Sequence, residues 1–173
     1  ISTLLAEWGV ENCITHNALR SLLNLLKVWH PELPRDSSTL LRTSSCKVKA
    51  IKGGSYCHMG LLAGLHSELK KAHFLQACNE LHLHLNVDGL PLFKSSSEQL
   101  WPILCRIINK SCKPFIVGLY SGKSKPSGPH EYLSQFVEEL QPLFDNGFRF
   151  NGKTLGLVVA GFICDAPARA YLK

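Results

Sequence analysis

The sequence predicts an α/β fold, with a helical N-terminal region over residues 1–80 and a three-stranded antiparallel meander, a helix and a fourth strand over residues 81–173. Three observations predict it. Leucines recur at helical spacing in the first third, apolar and polar residues alternate over residues 81–88, and a β-branched apolar run follows the last long helical stretch. At 173 residues, 45% hydrophobic and 18% charged, the chain is large and apolar enough to bury a core without metal or disulfides, which excludes disordered and collagenous classes.

Taken in order, Ser2 or Thr3 caps a short helix that runs to about Trp8 and is closed by Gly9. Leu19, Leu22, Leu23, Leu26 and Trp29 then share one face of a helix over residues 17–29, ended by Pro31 and Pro34. The two helices suit a helical hairpin over a core better than a DNA-reading helix-turn-helix, because the face opposite the leucines offers only Arg20 and Lys27 to phosphates. Pro34, Asp36, a Ser/Thr-rich run and Gly53-Gly54 predict an irregular connection with short strands around residues 48–51. Residues 60–78 return to helical spacing, with Leu61, Leu65, Leu69 and Ala72 on one side and Glu68, Lys70 and Lys71 facing water.

In the second half, Leu81, Leu83, Leu85 and Val87 alternate with His82, His84, Asn86 and Asp88, a strand that ends at Gly89. Residues 100–108 and 115–120 are two more strands, linked by residues 109–114. Leu133, Phe136, Val137, Leu140 and Phe144 mark a helix over residues 132–144, framed by Pro129 and Gly147 and bent by Pro142. Residues 154–164 are apolar throughout, a strand expected to be buried on both faces, and stop at Asp165.

Nineteen Lys and Arg against thirteen Asp and Glu give a net charge of +6. No acid falls between Asp36 and Glu68, where Arg42, Lys47, Lys49 and Lys52 occur, or between Glu98 and Glu131, where Arg106, Lys110, Lys113, Lys123 and Lys125 occur. Such stretches suit a phosphate backbone, although solvated loop lysines explain them equally well. Seven cysteines without a CxxC pair read as reduced intracellular thiols. Residues 155–164 are about half of a membrane span, and Glu7 and Glu11 stand where a signal peptide is apolar, so no membrane partner is expected. With no initiator Met and a helix start at its end, the chain reads as a piece of something longer.

Three strands, a helix and a fourth strand, with Asp88 ending the first and Asp165 following the last, form the order of a ribonuclease H-like core. In that order the first and last strands are neighbours, so the two carboxylates approach and repel unless a divalent cation joins them. Mg²⁺ accepts one or two carboxylates and completes its shell with water and phosphate oxygens, and a pair of such ions supports in-line phosphodiester displacement. The competing reading gives Asp88 an Asp-Gly turn and Asp165 the cap of a helix begun by Ala166-Pro167.

Other candidates are weaker. Residues 118–124 fall one residue short of a phosphate-loop motif, and Pro126, Gly128 and Pro129 deny it a helix, so the segment reads as a basic loop. His82, His84 and the Cys57-His58 pair lack zinc-ligand spacing, and nothing pairs Cys164 with a base. Trp101 and Phe93 read as core aromatics before base-stacking ones.

The blocks LHLNVDGLPL (83–92), Trp101-Pro102-Ile103, KPFIVGLYSGKSKP (113–126) and FICDAPARAYL (162–172) resemble the transposases of the CACTA (En/Spm) type. LPRDSSTLLRT (33–43) and GGSYCHMGL (53–61) extend the resemblance over nearly the whole chain. It implies a DDE/D enzyme that cuts and joins DNA at transposon ends in the nucleus with Mg²⁺ or Mn²⁺, without a small-molecule cofactor, in a form compatible with homo-oligomers. Asp88 and Asp165 match the first two metal-binding acids, and Lys110, Lys113, Lys123 and Lys125 are the expected backbone contacts. The third acid of that family lies on a later helix and has no match before Lys173, so catalysis by this chain alone is left open. Glu131, Glu138 or Glu139 could substitute for it, or face solvent. The alternative is a non-catalytic, transposase-derived module that binds DNA or protein.

Overall fold

The computed structural model describes residues 1–41, 47–71, 78–93 and 96–173. The chain divides into two compact units, Ile1–Ser45 and Cys46–Lys173. That division falls earlier than the expected boundary near residue 80, because the strands and helix that follow residue 46 pair and pack within the second unit.

In the first unit, α1 (Ser2–Glu11), α2 (His16–Leu26) and α3 (Ser37–Leu41) enclose Leu19, Leu23, Leu33 and Leu40. Thr15 opens α2 by accepting the Ala18 N–H on its hydroxyl at 3.3 Å. The helix stops at Leu26 rather than Trp29, since the approach to Pro31 disfavours helical backbone, and Trp29 is left exposed. Arg20 pairs with Asp36 at 2.7 Å and Lys27 donates to the Leu33 carbonyl at 3.0 Å. Both cations that a DNA-reading helix pair would offer are thus engaged inside the unit.

The second unit runs β1 (Val48–Ile51), β2 (Gly54–His58), α4 (Leu61–Lys71), β3 (Glu80–Val87), β4 (Leu90–Pro91), β5 (Gln99–Ile107), β6 (Phe115–Gly122), α5 (Pro129–Asn146), β7 (Phe148–Phe150), β8 (Lys153–Ile163) and α6 (Ala166–Leu172). Its strands form one mixed sheet in the order β1-β2-β6-β5-β3-β8-β7, with β4 beside β5. β3 and β8 are parallel, and the other described pairs are antiparallel.

The expected meander is β3, β5 and β6. Along β3 the leucines and Val87 are fully buried, while His82, His84 and Asn86 on the opposite face are half-buried. The buried face joins one core with Leu61, Leu65 and Leu69 of α4 and Tyr132, Phe136 and Leu143 of α5. Pro129 occupies the first turn of α5, and Gly147 closes the helix at φ +74°, a conformation that favours glycine.

Four expectations change. β2 forms where Gly53-Gly54 suggests only a loop: Gly54 pairs with Gly122, and the Tyr120 ring lies where a Gly54 side chain would stand. Glu68 is buried rather than solvated, because the Lys71 ammonium at 2.6 Å and the Lys113 N–H at 3.2 Å satisfy its carboxylate. β8 is covered on one face over part of its length: Leu155 and Leu157 are buried, but Phe162 and Ile163 are about half exposed. Cys57 is disulfide-bonded, whereas Cys13, Cys78, Cys105, Cys112 and Cys164 are free thiols, so the reduced state expected of all seven does not hold. The extension of α4 to residue 78, including Ala72, and Arg42 of the first basic stretch lie outside the described residues. No helix among the described residues is long and apolar enough to cross a membrane.

The pairing of β3 with β8 contains a bulge. Leu83 faces Val159 but His84 faces Gly161, which leaves Ala160 as an extra residue in β8.

Burial lifts several core acids above their ordinary values: Tyr56 from 10.0 to about 12, Cys105 from 9.0 to about 12, and Tyr132 upward as well. A folded-state value above the unfolded one stabilises the neutral form fully at lower pH, and that stabilisation disappears as pH rises through about 12. Urea midpoints measured from about pH 8 to about pH 11.5 are therefore expected to fall progressively above about pH 9. A flat profile would show that these groups ionise equally easily in both states.

Candidate functional site

Asn86 of β3 stands opposite Ile163 of β8, and its side-chain amide donates to the Ile163 carbonyl. Two residues further along each chain come Asp88 and Asp165. Parallel neighbours lie about 4.8 Å apart, so continuing the register sets the two aspartates side by side at the C-terminal ends of their strands. Both line a single cavity of about 310 Å³, together with Gly89, Pro91, Gln99 and Trp101.

Local chemistry explains each position. Asp88 is half-buried and accepts the Gly89 N–H on Oδ1 at 2.8 Å, the geometry of an Asp-Gly turn. Asp165 is exposed and caps α6, accepting the Ala168 N–H on Oδ1 at 2.7 Å. Turn, cap and proximity are thus compatible, since each carboxylate commits one oxygen to backbone. The second oxygen of each has no partner among the described residues, and no described Lys, Arg or His is paired with either acid. Two hard oxygen donors with uncompensated charge therefore share one cavity, the donor chemistry that Mg²⁺ or Mn²⁺ accepts.

Trp101 ties the elements around that cavity together. Only 8% exposed, it is the core residue expected of a strand aromatic and also forms the cavity wall. Its Nε1–H donates to Gln99 Oε1 at 3.1 Å, and its carbonyl accepts the Tyr132 hydroxyl of α5 at 3.0 Å. The Tyr171 ring of α6 lies 5.6 Å away, centroid to centroid. Gly89 packs so closely on the indole that a Cβ there would stand 2.7 Å from the ring, which explains why glycine follows Asp88. Sequence reasoning misses Gln99. The signal available was its spacing of two from Trp101, which places both on one face of β5.

The four expected backbone-contacting lysines divide between the two ends of the sheet. Lys123 and Lys125 follow Gly122, which faces Gln99, so their loop leaves from the end that carries the aspartates. Lys125 Nζ lies 5.5 Å from the Tyr171 centroid. Lys110 and Lys113 follow the far end of β5, a nine-residue strand that spans roughly 27 Å. They do not join the aspartates.

None of the three helix glutamates supplies a third ligand to the pair. Glu139 accepts from His58 and from the Leu61 and Leu62 N–H groups, Glu131 accepts the Lys52 N–H at 3.2 Å, and Glu138 is exposed on α5. Among the described residues, no group of three or more His, Cys, Asp or Glu could hold a metal ion. Phe93 is 60% exposed and, unlike Trp101, takes no part in the core. The chain matches no family model, no curated protein and no solved structure.

Proposed function

We propose that residues 81–173 are a partial ribonuclease H-like core of transposase ancestry, whose parent activity is divalent-cation-dependent cleavage and strand transfer of DNA. The observation that carries this reading is the meeting of Asp88 and Asp165 in one cavity, at the ends of adjacent parallel strands. The uncommitted carboxylate oxygens are the groups that would hold Mg²⁺ or Mn²⁺. Bound there, the cation supplies positive charge to the phosphodiester as negative charge builds on it. The chain's own contribution is to fix both carboxylates through the Gly89 and Ala168 N–H groups, and to offer Lys123 and Lys125 to neighbouring phosphates.

A second reading has a specific observation in its favour. Because both Oδ1 atoms serve the backbone, the aspartates are accounted for structurally, as in a binding module that holds DNA or protein without cutting it. Titration calorimetry with Mn²⁺ on the wild type, Asp88→Asn and Asp165→Asn separates the two. Asparagine keeps the turn and the cap but removes the charge. Binding in the wild type that weakens at least about tenfold in either variant supports the cation site. A wild type that binds no cation leaves the scaffold reading.

A further inference from the structure

Gln99 stands in the cavity wall with Asp88 and Asp165, and Trp101 fixes which way its amide faces. An indole N–H can only donate, so the atom 3.1 Å from Trp101 Nε1 has to be the amide oxygen. The amide nitrogen is left with two N–H donors that no described residue accepts. The indole is not free to turn away. It is buried, wedged against Gly89 and Tyr171, and held through its carbonyl by Tyr132. The Gln99 backbone is paired on both sides, to Pro91 of β4 and to Gly122 of β6.

We infer that Gln99 is a substrate-binding residue, which donates its amide N–H to a non-bridging oxygen of a DNA phosphodiester seated between Asp88 and Asp165. Trp101 acts through it as a positioning residue. The inference rests on the cation-site reading, since a phosphodiester anion enters a cavity with two carboxylates only after a cation has offset their charge. A neutral donor suits that place for an electrostatic reason. Lysine or arginine would pair with the aspartates and compete with the cation, and a carboxylate would repel the phosphate. An amide does neither, and because its orientation is set before the strand arrives, binding requires no reorganisation.

The test uses the full chain in Ca²⁺, with a short fluorescent single-stranded oligodeoxynucleotide read by anisotropy. Gln99→Met keeps the length and loses the donors. Gln99→Glu keeps an oxygen for the Trp101 N–H but replaces the donors with negative charge. Gln99→Met is expected to bind about tenfold more weakly than the wild type, and Gln99→Glu more weakly still. Unchanged strand binding by Gln99→Met overturns the inference, as does unchanged binding by Gln99→Glu, whose added charge would by itself repel a phosphate seated in this cavity.

Mn²⁺ calorimetry on the same proteins keeps the two proposals apart. Cation binding retained in Gln99→Met and retained or strengthened in Gln99→Glu, while strand binding falls in both, supports the assignment. A wild type that binds Mn²⁺ but not the oligonucleotide overturns the assignment and leaves the cation site standing. One that binds neither removes both.

Discussion

Replacing Glu139 with alanine is expected to destabilise the Cys46–Lys173 unit by about 3 kcal/mol. This carboxylate of α5 gathers three donors: His58 Nε2–H of β2 at 2.9 Å, and the Leu61 and Leu62 N–H groups at 2.6 and 2.8 Å. The last two belong to the first turn of α4, where backbone donors have no intrahelical acceptor. A side chain from one helix thereby caps another while holding the strand beside it. His58 Nδ1 faces the Tyr56 hydroxyl at 3.1 Å, so the imidazole links the tyrosine to the glutamate. Alanine removes all three acceptor contacts, and the site is too enclosed for water to replace them fully: the His58 and Glu139 side chains are 18% and 24% exposed. Glu139→Gln keeps one oxygen and should fall between the two. Urea denaturation measures the difference, and a loss below about 1 kcal/mol would show that the clasp contributes little.

Gly54→Ala should be at least as costly, about 3 kcal/mol or more. A Cβ at Gly54 would overlap the Ser121 carbonyl oxygen and stand 2.8 Å from the Tyr120 ring. The ring could shift, but the oxygen belongs to the backbone of β6, to which β2 is hydrogen-bonded at this point. Relief requires the strands to part. Gly161→Ala provides the contrast: a Cβ there meets nothing within 4 Å, and its effect should stay within about 0.5 kcal/mol. Equal melting behaviour of the two variants would rule out the overlap as the decisive term.

The elements legible in the sequence are those whose pattern is set locally and repeated by their surroundings. β3 alternates because one of its faces is buried along its length, and α5 is framed by Pro129 and Gly147, which act through backbone geometry alone. The adjacency of β3 and β8 was legible as well, since strand order follows from the succession of elements, and Asp88 and Asp165 follow the ends of those strands. Features made by distant partners were not. Glu68 reads as a surface residue until Lys113, far along the chain, brings it a backbone donor. Gly53-Gly54 reads as a turn until Tyr120 fills the space a side chain would have taken. Gln99 looks like any polar residue at a strand start, because its importance depends on which atom the indole claims. The domain boundary shifted for the same reason: β2 belongs with β6, and nothing local to either announces the pairing.

Ala160 carries a consequence out of proportion to its size. Were β8 to continue in step after Leu83 meets Val159, Cys164 rather than Asp165 would arrive opposite Asp88, and the second acid would swing to the reverse side of the sheet. The acid pair is thus created by a phase slip between two strands as much as by the aspartates themselves. Re-registration of β8 that closed the slip without changing its length would dismantle the pair while leaving both acids in the sequence, whereas deletion of Ala160 would keep them opposite each other.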